Sequence, residues 1–193
     1  AGRIIAWGRA KDWVWALGDA MGSYANVRTA RRLLAVRLSA ACPCVVVADW
    51  VVPSETGRHR YDWLLHTASG NGLVLNGGNG AAIIRGSVHS RELHLLHRAA
   101  SPVRMTCDEW ADHPRLRAIS HGQAFVALTA LGTGSLQAIP NEAGARGVKW
   151  LDALGAGKAI LRWRPIRGFP TAMRLELPEA DLVIDLSMKM FVP

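Results

Sequence analysis

Arg58-His59-Arg60-Tyr61-Asp62-Trp63-Leu64-Leu65-His66-Thr67 alternates polar with apolar side chains. In an extended strand, successive side chains point to opposite faces of the sheet. Tyr61, Trp63 and Leu65 then share one face, an apolar set suited to a core. Arg60, Asp62 and His66 share the other, where only Leu64 is apolar. A core histidine belongs on the apolar side, so His66 is expected to face solvent, a ligand or a neighbouring domain. A strand ending in Ala48-Asp49-Trp50 precedes this one.

Outward from this stretch the same grammar repeats. Short runs rich in Val, Ile, Leu and Trp recur at 3–7, 13–17, 32–38, 44–52, 73–75, 81–84, 92–97, 123–131, 135–139, 158–163, 171–177 and 182–186. Gly70-Asn71-Gly72, Gly77-Gly78-Asn79-Gly80 and Gly132-Thr133-Gly134 punctuate them as hairpin or loop signals. Regular strands without long intervening helices predict an all-β, antiparallel β-sandwich (a super-sandwich), one domain over 1–193 with little helix. Two segments read as candidate helix: 24–35, which contains Ala-Arg-Arg-Leu-Leu, and a single turn at 108–112 before Pro114. The glycine-rich 144–157 region reads as surface loop around a short strand at 148–151.

Half of the 193 residues are hydrophobic, enough for a buried core. No uncharged apolar run approaches the roughly 18 residues of a membrane span, so no membrane partner is expected. The first residues, Ala1-Gly2-Arg3-Ile4-Ile5, lack a signal-peptide plan and an initiator Met, and read as the start of a processed product or a piece of a longer chain. The net charge of +8 favours polyanions as partners. Its arginines are scattered and no nucleic-acid-binding module is recognisable, so nucleic acid is not the expected partner. Cys42 and Cys44 are too close along an extended chain for an unstrained mutual bridge, and thiols, mostly buried, are the expected state.

The glycine clusters fit neither GxGxxG nor GxxxxGK[ST], and no G-x-S-x-G elbow occurs. His94 and His97 fall on opposite faces of a strand, so they do not readily share a metal, while His113 and His121 flank a loop-like segment. Eight tryptophans are many for this length. Trp13 and Trp15 share a strand face, as core packing requires. Trp150 and Trp163, beside Lys149 and Arg162 and near glycine-rich loops, are the candidates for sugar-stacking platforms.

Gly18-Asp19-Ala20 with Tyr24, Arg31-Arg32-Leu33-Leu34, Val45-Val46-Val47-Ala48-Asp49 and Arg60 to His66 occur in an order that resembles the C-terminal region of the heparinase II/III-like polysaccharide lyases. The match runs over roughly residues 3 to 68, and the later hairpins fit more loosely. The resemblance implies an antiparallel β-sandwich that lines a cleft against an N-terminal α/α toroid of the same protein. It implies β-elimination on an acidic, uronate-containing polysaccharide such as a glycosaminoglycan or alginate, and a periplasmic or secreted location. It places a catalytic histidine at about His66; Arg60 and Asp62, on the same strand face, and the platform candidates Trp150 and Trp163 are the substrate-binding candidates read from the residues themselves. The chain departs from the family in lacking the toroid, so the isolated chain is expected to be inactive.

Relatives hold a structural metal through an H-x-H pair; here Leu64 stands two before His66 and no acidic residue occurs from Thr67 to Arg91. No metal and no cofactor is expected, and His66 corresponds either to the catalytic histidine or to the neighbouring metal ligand. The alternative, from a different class, is a non-catalytic carbohydrate- or polyanion-binding scaffold module.

Overall fold

Phe125-Val126-Ala127-Leu128-Thr129-Ala130-Leu131-Gly132 is buried at every position. A strand achieves that only when both faces of its sheet are covered. The computed structural model describes residues 2–38, 43–77, 80–88, 91–152, 155–166 and 169–187, and it puts this segment in the middle of three layers. The strands are β1 (Arg3–Ala10), β2 (Trp13–Asp19), β3 (Val27–Arg37), β4 (Cys44–Pro53), β5 (His59–His66), β6 (Gly72–Leu75), β7 (Ala81–Arg85) and β8 (Glu92–Ala99). They continue with β9 (Val103–Trp110), β10 (His113–Gly122), β11 (Phe125–Gly132), β12 (Ser135–Glu142), β13 (Ala145–Asp152), β14 (Gly155–Ile166), β15 (Phe169–Leu177) and β16 (Leu182–Asp185). The described helical content is two short 3-10 turns, Met21–Ser23 and Pro178–Ala180.

The central sheet runs β1-β2-β3-β4-β11-β8-β7-β6, with β5-β10-β9 and β12 to β16 forming the other two sheets, all pairs antiparallel. Alternation along β11 divides its side chains between two cores. Val126, Leu128 and Ala130 join Trp13, Leu33, Val46, Trp150, Leu161 and Leu175 on the side of the five-stranded sheet. Phe125, Ala127 and Leu131 join Trp63, Leu95, Leu116 and Ala118 on the side of the three-stranded sheet. The chain is thus an antiparallel β-sandwich with a third sheet laid on its central layer. Among the described residues, no helix is long and apolar enough to cross a membrane.

Three local expectations are corrected. The helix candidate at 24–35 is mostly strand: β3 is held on both sides by β2 and β4, and that pairing overrides the helix preference of Ala-Arg-Arg-Leu-Leu. The turn expected at 108–112 lies at its end, where Ala111 and Asp112 both take positive φ (49° and 63°) and join β9 to β10 as a two-residue hairpin. The 144–157 region is β13 hairpinned to β14, not surface loop. The hairpin signal at Gly78-Asn79, like Cys42, falls outside the described residues. Of the two described cysteines, Cys44 is buried and Cys107 is exposed.

The β13–β14 hairpin carries a close approach. Gly157 pairs with Trp150, and a Cβ there would overlap the indole ring, which is buried and has nowhere to shift. Gly157→Ala should destabilise the chain by about 2 kcal/mol through overpacking. A urea-midpoint measurement checks this; an unchanged midpoint contradicts the packing.

Candidate functional site

Of the two faces of the three-stranded sheet, one is core and the other is open. Trp63, Leu116 and Ala118 point inward, with Tyr61, Leu65, Val103 and Met105 packed beside them. The register of β5 on β10 sets Arg60 opposite His121, Asp62 opposite Ile119, Leu64 opposite Arg117 and His66 opposite Arg115. On the other side of β10, Arg104 faces Ile119, Thr106 faces Arg117, Asp108 faces Arg115 and Trp110 faces His113. Alternation therefore gathers arginines and histidines from three strands onto one surface.

The charges on it are unequal. Arg60 holds Asp62 through two hydrogen bonds of 3.0 and 3.2 Å. Arg115 grips Asp108 in a two-pronged pair, both bonds 2.7 Å, and Arg117 approaches the same carboxylate at 3.5 Å. The hydrogen bonds from Arg115 hold the Asp108 carboxyl below the usual carboxylate range, and the charges of Arg115, Arg117 and His66 add to this. Arg104 and the neighbouring Arg58 make no ion pair among the described residues. A shallow cavity of about 490 Å³ opens at this end, lined by Arg58, Arg60, Arg104, Ile119 and His121 together with Pro102 and Val103.

The structure brings Arg60, Asp62 and His66 to this face, as the alternation anticipates, but does not bring Asp62 to His66. They stand four residues apart on one strand, roughly 13 Å at about 3.3 Å per residue. Asp62 is engaged by Arg60, and the carboxylate electrostatically coupled to His66 is Asp108. The His66 ring lies edge-on to Trp110, with centroids 5.3 Å apart. Trp150 and Trp163 are elsewhere, on the five-stranded sheet. Trp150 is 3 % exposed and packs on Trp13 at 5.9 Å, so it offers no ring face to a sugar. Trp163 is half-buried beneath the Arg146 guanidinium, 5.5 Å from its ring centre. Among the described residues no three His, Cys, Asp or Glu side chains converge as a metal-binding group.

Sequence reasoning missed Arg104, Asp108, Trp110, Arg115 and Arg117, and it read His113 and His121 as flanking a loop-like segment that is in fact strand β10. The alternation was present in Arg115-Leu116-Arg117-Ala118-Ile119-Ser120-His121, but the small inward residues Ala118 and Ser120 hide it from a hydrophobic-run reading.

A polar seam lies beneath the face, between the sheets. Asp49 of β4 accepts hydrogen bonds from Trp63 Nε1 (3.0 Å) and from Arg32 (2.6 and 3.3 Å). Burial pushes the Asp49 carboxyl up, and the Arg32 charge and the two partners' hydrogen bonds pull it back only in part. Nearby, His97 is 2 % exposed and shares a 2.8 Å hydrogen bond with the Thr129 hydroxyl. Its ring lies 5.0 Å from Trp63, and burial lowers its pKa to about 4.

Solved structures share this fold. A heparinase III gene product, solved with methylated lysines, aligns over 83 % of this chain and 27 % of its own length, with a TM-score of 0.57 and 10 % identity. The heparan sulfate lyase HepC from Pedobacter heparinus aligns over 97 % of this chain and 28 % of its own, with a TM-score of 0.53 and 11 % identity. A mutant of HepC gives the same coverage at 12 % identity. No family model and no curated protein sequence matches the chain. At such identities the likeness defines the fold: a β-sandwich of the kind built into these lyases. The chain spans little more than a quarter of their length.

Proposed function

We propose that this chain is the β-sandwich domain of a polysaccharide lyase, and that the open face of β5, β10 and β9 lies along an acidic polysaccharide. The observation that supports it most is the arrangement of Arg58, Arg60, Arg104, Arg115 and Arg117 against Asp62 and Asp108 alone among the described residues of this face. A face with surplus guanidinium recognises carboxylate and sulfate groups through paired N–H donors. The shared fold with heparan sulfate lyases supports the same class of ligand.

β-Elimination at a uronate needs the carboxylate neutralised, the adjacent C–H proton removed and the departing O4 protonated. His66 is the residue to which we assign a proton transfer, since an imidazole can both accept and donate a proton. Arg60 and Arg104 hold the anionic chain, and Asp62 orients Arg60. Neither of the two tyrosines shares this face: Tyr61 packs inward on Phe125 at 5.4 Å, and Tyr24 lies near Arg32. We place a tyrosine acid–base group and the carboxylate neutraliser in a further domain, an N-terminal toroid of the same protein, in a periplasmic or secreted enzyme.

The test is ultraviolet absorbance of the unsaturated uronate product from a full-length enzyme carrying this domain. His66→Ala should lower turnover at least a hundredfold, the scale of a lost acid–base group, without changing the unfolding midpoint. Undiminished turnover would sink the assignment of His66. The lack of a tyrosine on this face among the described residues favours a second reading, a non-catalytic polyanion-binding module. Under it, His66→Ala leaves turnover unchanged while replacing Arg58 and Arg104 by Gln still weakens binding.

A further inference from the structure

A second cavity, about 330 Å³, opens where β8 runs past the end of β7 and meets the β12–β13 hairpin. Arg98, Arg146, Asn141 and Ser101 line it. Arg146 is fixed there by neutral acceptors: its Nε donates to Ala99 O and its Nη2 to Ala100 O, both 2.8 Å, while Nη1 donates to Ala145 O at 2.7 Å and Glu142 O at 3.3 Å. Arg98 Nη2 donates to Asn141 Oδ1 at 2.6 Å, and Arg98 Nε is buried with no partner.

These partners satisfy hydrogen bonds without neutralising charge. Neither guanidinium is ion-paired among the described residues. Burial and the neighbouring Arg98 charge both push the Arg146 guanidinium down, the cost of confining like charges in a partly desolvated space. An anion seated between them would relieve that cost and engage the orphaned Arg98 Nε.

We propose that this cavity binds one oxyanion group, a carboxylate, sulfate or phosphate, held by Arg98 and the remaining Nη2 proton of Arg146. His97 also borders the cavity, but adjacent strand residues point to opposite faces. Its ring belongs with Thr129 and Trp63 and is not a ligand. The proposal does not rest on the polysaccharide reading. Pro102 and Val103 form a wall common to this cavity and the one beside Arg104. The group is therefore either a free anion or one carried on a chain lying across both.

Titration of the folded chain with sodium sulfate at constant ionic strength, following the Arg146 Nε–H resonance, tests this. The wild type should show a saturable shift, Arg98→Gln should need at least tenfold more sulfate, and Arg104→Gln should titrate like the wild type. Arg98→Lys, which keeps the charge without the fork, serves if Arg98→Gln does not fold, and should bind several-fold more weakly. A shift that does not saturate, or one identical in wild type and both Arg98 variants, overturns the site. A sulfated heparan oligosaccharide distinguishes the sources. If it moves the same resonance and Arg104→Gln weakens it alone, the anion is carried on the polymer. If only inorganic sulfate moves it, the ligand is a free anion.

Discussion

Asp49→Ala is expected to lower the unfolding free energy by about 3 kcal/mol at pH 7, measured from urea midpoints. Trp63 bridges the three-stranded sheet to the central one by donating its indole N–H to Asp49, and both residues are buried. Removing the carboxylate orphans that donor, worth about 1–3 kcal/mol, and leaves a cavity besides. The Arg32 ion pair adds less than its 2.6 Å separation suggests, because its side chain is 59 % exposed and returns to water when released. Asp49→Asn, which keeps an acceptor for Trp63, should cost distinctly less. Equal losses in the two variants would mean that charge, not the indole bond, holds the seam.

Acidification should remove nearly as much. His97 has a folded pKa of about 4 against 6.5 for the free side chain. The unfolded chain therefore binds a proton that the folded one refuses, and stability is lost as pH falls from about 6.5 to about 4. A difference of roughly 2.5 units corresponds to about 3 kcal/mol at the bottom of that window. Unfolding followed across it should show the slope in the wild type, and a folded His97→Gln chain should lack that contribution. Parallel slopes in both would place the proton elsewhere.

Much of the fold was legible because burial and alternation coincide. The facing of β5 could be read residue by residue, since Tyr61, Trp63 and Leu65 are large and apolar while Arg60, Asp62 and His66 are charged or polar. β10 was illegible for the opposite reason. Its inward positions include the small Ala118 and Ser120, and Pro114, its second residue, is of a type that strands admit chiefly at edges, starts or bulges. Trp150 was misleading because basic and glycine neighbours imply a surface, whereas Gly157 is there to admit the buried ring from across the hairpin. His97 gave no signal, since its environment is assembled from β5, β8 and β11, which are distant in sequence.

The claim that the open face of β5, β10 and β9 holds an acidic polysaccharide is tested most directly by binding of the purified chain to a heparan sulfate oligosaccharide. Wild type is to be compared with an Arg58→Gln, Arg104→Gln double variant at several salt concentrations. These two arginines are exposed and unpaired among the described residues, so the unfolding midpoint should hold. Affinity should fall at least tenfold at 0.15 M salt, about 1.4 kcal/mol, and its salt dependence should flatten. Undiminished affinity with an unchanged salt dependence would contradict the account and place the polyanion on another surface.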